Sequence, residues 1–188
     1  LHFQGIFKDI NEFEIQSKQS VINDLPIFSG VNNSVSFSVA FTPQSATLYN
    51  ILYSDGTSDL FGNGEVHYSL FKEEKTAEGW FQFKSRDSNE AYNTIFSYGK
   101  EELSASITYD SSPLQRFQNI PVTGLLSGEM EITGKLQSPN IAIQTTLVDG
   151  QLNNDPFTFD VTGSLSQSKI NVENLELRYL SNRIYDFK

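Results

Sequence analysis

Very few side chains in this chain could do chemistry. Cysteine is absent, and of the two histidines His2 stands in a segment that reads as a tag remnant, so His67 is the one imidazole for acid–base work. Its strand phase sets it beside Glu65 and Ser69 on a polar face, where a solvated histidine belongs. Glu129 and Glu131, with Lys135 close by, share one strand face and read as solvated surface, not as an acid/base dyad. Asp55-Gly56-Thr57-Ser58-Asp59 looks like the start of a calcium loop but lacks regular oxygen ligands at alternate positions and the distal bidentate Glu, so it reads as a turn. No G-x-S-x-G elbow, P-loop or histidine pair for zinc occurs. Trp80, with Phe81 and Phe83, could stack on a sugar ring, although an aromatic in such a strand is more often core. No catalytic, metal or cofactor site is expected, and the chain does not read as an enzyme.

Apolar and polar residues alternate along strand after strand from about Val35 onward. In Val35-Ser36-Phe37-Ser38-Val39-Ala40-Phe41 every odd position is large and apolar, which puts Phe37, Val39 and Phe41 on one face. Leu103 to Tyr109 repeats the pattern. Met130, Ile132 and Leu136 alternate with Glu129, Glu131, Thr133 and Lys135, and Phe157, Phe159, Val161 and Leu165 alternate with Thr158, Asp160, Thr162 and Ser164. Ile141 to Leu147 adds Ile143. Such a one-sided sheet must close on itself, pair with a second sheet, or hold an apolar guest.

A formal net charge of −10 with 13 scattered basic residues excludes a nucleic-acid surface, which needs clustered Lys and Arg. It disfavours an anionic lipid surface for the same reason. No run approaches the roughly 20 apolar residues of a membrane span. Residues 1–5 (Leu1-His2-Phe3-Gln4-Gly5) read as the remnant of a protease-cleavage tag, and the far end stops in strand-like sequence. The expectation is a single segment, 6–188, of a longer protein.

Turn signals punctuate the apolar runs every few residues, the rhythm of an antiparallel meander. Pro43, Asp55-Gly56, Gly99, Asp110-Ser111-Ser112-Pro113, Ser138-Pro139 and Asn153-Asn154-Asp155-Pro156 mark such turns, and Lys72-Glu73-Glu74-Lys75 reads as a solvated hairpin tip. Asn63-Gly64 is the sharpest signal and predicts a tight hairpin; Asp149-Gly150 predicts another. Ile170 and Val172 occupy even positions, whereas Leu175, Leu177 and Tyr179 occupy odd ones. That change of phase at Glu173-Asn174 requires a bulge or a corner, and hence a bent sheet. Only Leu114 to Phe117 and, weakly, Asn89 to Tyr92 read as helical. The fold class is all-β.

From Gly124 the chain reads Gly-Leu-Leu-Ser-Gly-Glu-Met-Glu-Ile-Thr-Gly-Lys-Leu-Gln-Ser-Pro-Asn-Ile, continued by Asp149-Gly150-Gln151-Leu152, Pro156-Phe157 and the paired pieces Ile170-Asn171-Val172 and Leu175-Glu176-Leu177. This resembles the G-x-l-s-G-x-l-x-l-x-G-x-l-x-s-P-x-i repeat of the TamB family, the inner-membrane-anchored part of the bacterial translocation and assembly module, and of its AsmA-like relatives. The likeness is clearer over 111–188 and looser over 6–110. TamB repeats carry more glycine and fewer aromatics than this chain.

The resemblance implies a curled antiparallel sheet of β-taco type, its open groove apolar, in a periplasmic, inner-membrane-anchored protein. It implies phospholipid acyl chains as cargo, carried toward the outer membrane, or a scaffolding role in barrel-protein assembly with an Omp85-type partner. A two-chain lipid entering water loses on the order of 20 to 25 kcal/mol, which an apolar trough would largely spare. Phe37, Val39, Phe41, Met130, Ile132, Ile143, Phe157, Phe159 and Val161 are the expected lining. The alternative is a closed β-sandwich in which the same residues pack on one another, as in a ligand-binding module of a surface protein. An unclosed sheet would also expose two edges for self-association or strand addition.

Overall fold

The structure, a computed structural model, describes residues 3–9, 12–23, 33–69, 73–116, 122–166, 169–180 and 182–187. Among the described residues the alternating pattern becomes thirteen strands: β1 (Phe3–Asp9), β2 (Glu12–Asn23), β3 (Ser34–Phe41), β4 (Ser45–Ser54), β5 (Asp59–Ser69), β6 (Thr76–Ser85), β7 (Ala91–Gly99), β8 (Glu102–Pro113), β9 (Val122–Lys135), β10 (Ser138–Leu152), β11 (Asp155–Ser166), β12 (Lys169–Tyr179) and β13 (Asn182–Phe187). Every strand pairs antiparallel with its sequence neighbour, giving one sheet in the order β1 to β13. β1 and β13 do not meet, so the sheet is not closed. That disposes of the closed sandwich. Phe3, Gln4 and Gly5, set aside above as tag, form the start of β1.

Among the described residues the only helical element is the 3-10 turn Leu114–Arg116. Phe117 lies outside the described residues. The second helical expectation fails, because Asn89 sits in a bend and Ala91 and Tyr92 open β7.

Neither Asn63-Gly64 nor Asp149-Gly150 is a hairpin turn. Asn63 and Gly64 lie within β5, opposite Gln82 and Phe81. A Cβ on Gly64 would meet the Phe81 ring at 2.2 Å, and one on Gly62 would meet Phe83 at 2.5 Å, so these glycines are slots into which the facing rings settle. Asp149 is a bulge residue at φ 51° inside β10, and Gly150 is buried beside Leu147. The turn that follows is Asn153-Asn154, both at positive φ (54° and 70°), as expected from its sequence. Leu136 stands in the β9–β10 turn, 57% exposed, and not on the apolar face. Of the solvated tip, Glu73, Glu74 and Lys75 are exposed, whereas Leu70 and Lys72 lie outside the described residues.

The change of phase at Glu173 is a bulge. Thr162 faces Asn174 and Gly163 faces Val172, which leaves Glu173 as the extra residue. The accessible surface of 12349 Å² exceeds the roughly 9,100 Å² expected for a compact monomer of this mass. Among the described residues only Val39, Ala46, Ile51, Tyr53, Leu60 and Leu147 are buried hydrophobic side chains. Most of the remaining apolar face is half-covered, as in a curled sheet without a second layer.

Candidate functional site

Antiparallel pairing carries one face from strand to strand, because residues directly opposite each other point the same way. One row runs Gly5, Ile15, Phe41, Ala46, Val66, Gly79, Phe96, Ala105, Ile132, Ile141, Leu165, Ile170, crossing twelve strands. The next contains Val39, Leu48, Gly64, Phe81, Ile107, Met130, Ile143 and Val172. A third holds Phe37, Ile51, Phe83, Tyr92, Tyr109 and Val161; a fourth holds Val35, Tyr53, Leu60, Leu126, Leu147, Phe159 and Leu177. None of these residues is charged. Acidic residues such as Glu65, Glu78, Glu129 and Glu131 alternate onto the other face.

All nine residues expected to line a groove lie on this one face. Met130 and Ile143 are directly paired, with Ile132 two residues along β9, and the Phe157 and Phe159 rings stand 6.3 Å apart on β11. Phe37, Val39 and Phe41 share the face but sit five strands away, across β4 to β8. Val39 is buried, and the other eight are half-buried. Phe81 and Phe96 stack between the two groups, with ring centroids 6.1 Å apart.

One end of the face is closed by a charged cluster that spacing alone did not reveal. Arg116, on the 3-10 turn after β8, donates from Nε to Glu90 Oε1 at 2.7 Å, from Nη2 to Glu90 Oε2 at 3.1 Å, and from Nη1 to Asp55. The three side chains are 0 to 2% exposed. Ser58 Oγ donates to Glu90 at 2.6 Å, Tyr92 OH at 2.7 Å, and Tyr53 OH to Asp55 at 3.2 Å. The Asp55 turn is thus a structural socket, with its other oxygen accepting the Thr57 backbone N–H at 2.9 Å. No buried side-chain nitrogen or oxygen among the described residues lacks a partner.

The cluster also reports the curl. Asp55 lies between β4 and β5 while Arg116 follows β8, about 17 Å away along a flat sheet with strands about 4.8 Å apart. A short 3-10 turn and one guanidinium close that gap only where the sheet is concave. The electrostatics follow from burial. Burial, then the Asp55 charge and hydrogen bond, push the Tyr53 hydroxyl up to about 12. Burial likewise raises Tyr92, with Glu90 adding to it. For Arg116 burial acts downward, but the bonds and charges of Glu90 and Asp55 outweigh it and hold the guanidinium above its ordinary value.

No protein-family model, curated protein or solved structure matches the chain. Function therefore has to be argued from the face itself. No group of three or more potential metal ligands occurs among the described residues. His67 is exposed, with Nε2 3.4 Å from Glu65 Oε1, and Glu129, Glu131 and Lys135 are exposed. No described helix is long and apolar enough to cross a membrane. Trp80 is on the opposite face from Phe81 and Phe83, so those three do not form one platform.

Proposed function

We propose that this chain shields lipid acyl chains in its apolar trough, as a segment of a TamB-like, periplasm-spanning protein that moves phospholipid toward the outer membrane. The observation that carries the reading is the row from Gly5 to Ile170: twelve strands contribute to it without one charge, and among the described residues no second layer covers it. Acyl chains need no hydrogen bonds and tolerate any register along such a surface. Each methylene kept from water is worth about 0.8 kcal/mol, so a half-covered face this long accommodates a whole chain.

The test is photocrosslinking. Benzoylphenylalanine placed at Phe159 or Met130 should form adducts with phosphatidylethanolamine in vesicles, while the same probe at Glu131, on the outer face of β9, should not. Equal labelling at Glu131, or none at either trough position, would refute the proposal.

A second reading rests on a separate observation. Among the described residues β1 and β13 each pair on one side only, and such edges can accept an extended strand by main-chain hydrogen bonds. This supports barrel-protein scaffolding or self-association. Adducts from Phe159 to barrel-protein strands with none to lipid would favour it.

A further inference from the structure

We propose that the outer face of β5 to β8, the side turned away from the trough, binds a neutral β-linked oligosaccharide seated on Trp80. Strand parity creates the platform. Trp80 lies opposite Glu65 on one side and Ile95 on the other, and Ile95 lies opposite Ser106. Ile95 is 67% exposed, so the centre of this face is an indole edged by an aliphatic side chain left in water. The neighbouring outer-face positions Gln82, Asn93, Ser97, Ser104 and Ser106 are polar, whereas Phe61 on β5 is apolar and lies under Arg86. The residues surround a depression of about 680 Å³, within the roughly 300 to 1,000 Å³ of small-molecule sites.

The chemistry of the rim selects the ligand. Gln82 and Asn93 flank Trp80 and Ile95 on one side, directly paired with each other, and Ser97 and Ser104 flank them on the other. Amides and hydroxyls both donate and accept, which matches sugar hydroxyls that do the same. An aromatic plane takes up the C–H face of a pyranose, and that face is flattest when ring substituents are equatorial, as in β-linked glucose and N-acetylglucosamine. Glu65 and Glu78 stand at the margin, and no Lys or Arg lines the depression. Together with the net charge of −10, that repels phosphorylated or uronic-acid glycans. The side chains named here occupy positions alternate to those of the trough on the same strands, and Gly79, Phe81, Thr94 and Phe96 of the trough rows also border the depression.

Trp80 is the only tryptophan, so its emission reports this site alone. The whole chain is titrated with chitotetraose and with cellotetraose, following tryptophan emission and, in parallel, calorimetric heat. A saturable change with one or both tetrasaccharides is expected, and Asn93→Ala should weaken it about tenfold, the effect of one lost hydrogen bond. Trp80→Ala should abolish the heat. Because Ile95 is exposed, Ile95→Glu leaves the fold intact; it should remove binding without moving the urea midpoint. No saturable response to either sugar at millimolar concentration, or unchanged binding by Ile95→Glu, would overturn the proposal. So would a response to phosphatidylethanolamine vesicles in the absence of any response to sugar.

Discussion

Arg116→Met is the sharpest test of how this sheet keeps its curl. The substitution keeps the length and apolar stem of the side chain but removes the one cation between Asp55 and Glu90, both fully buried. Glu90 would lose two of its four hydrogen bonds and Asp55 one of three. Removing one partner of a buried ion pair costs about 3 to 5 kcal/mol, because the carboxylates left behind have neither water nor counter-charge. With a urea dependence of roughly 2 kcal/mol per molar, the midpoint should fall by about 1.5 to 2.5 M, a shift readable by circular dichroism. The same reasoning expects recovery when the charges go together. Asp55→Asn and Glu90→Gln added to Arg116→Met should restore more than half the loss, since the penalty lies in unpaired charge and not in lost packing. A drop below about 1 kcal/mol, the value of a solvated pair, would refute the argument. So would a triple variant no more stable than the single one.

Three further outcomes follow from individual residues. Gly64→Ala should destabilise by about 1 to 3 kcal/mol in the same urea assay, since its Cβ would meet the Phe81 ring and the Trp80 carbonyl; adding Phe81→Leu should return part of this. Stability should decline between pH 10 and pH 12: the Tyr53 proton is held more tightly in the folded chain, so its contribution is complete below pH 10 and is lost as pH rises through the folded value of about 12. With solvent screening allowed for, the loss is on the order of 1 kcal/mol, and buried Tyr92 acts in the same direction, so flat urea midpoints across that window would contradict the assignment. Leu147→Ala, at a fully buried site, should cost about 3 to 5 kcal/mol, whereas Ile143→Ala on the half-covered face should cost clearly less and instead weaken labelling by acyl probes.

The sheet and its apolar face were legible in the sequence because period-two alternation is a local signal, and each strand states it within seven or eight residues. Val35 to Phe41 and Phe157 to Val161 needed no outside information to be placed on a face. Dipeptide signals misled. Asn63-Gly64 and Asp149-Gly150 have hairpin composition, yet the same small or left-handed-tolerant residues serve an aromatic slot in one case and a bulge in the other. Only the facing strand decides between them. Arg116, Glu90 and Asp55 stand 26 and 61 residues apart, so their meeting follows from the curl of the sheet, which no local pattern encodes. Trp80, Phe81 and Phe83 are close in sequence, although strand parity alone separates Trp80 from the other two.

The phase change at Glu173 has four counterparts in β2, β4, β8 and β10, beside further register shifts between Phe7 and Asp9 and between Leu177 and Arg178. Ile15 and Ser17 give way to Ser20 and Ile22, Ala46 and Leu48 to Ile51 and Tyr53, Ile107 and Tyr109 to Ser112, and Leu147 to Gly150 and Leu152, each time with a shift in register. The added residue at positive φ is Gln19, Asn50, Ser111 or Asp149. Every one of these bulges falls between the row of Phe41 and Ile132 and the end where Arg116 sits. A bulge bends its strand and raises the local twist, so a group of bulges in that half of β2, β4, β8, β10 and β12 bends it more than the other half. The consequence expected from the bulges is a tighter curl toward the Arg116 cluster than toward the turns at Pro43, Lys100 and Leu136. Strand β12, whose bulge lies at Glu173, carries the same bend to the far side of the sheet. Each added residue also restores the apolar parity beyond it, returning Ile22, Tyr53 and Leu152 to the trough face, while Val21, Leu52 and Val148 stand on the outer face.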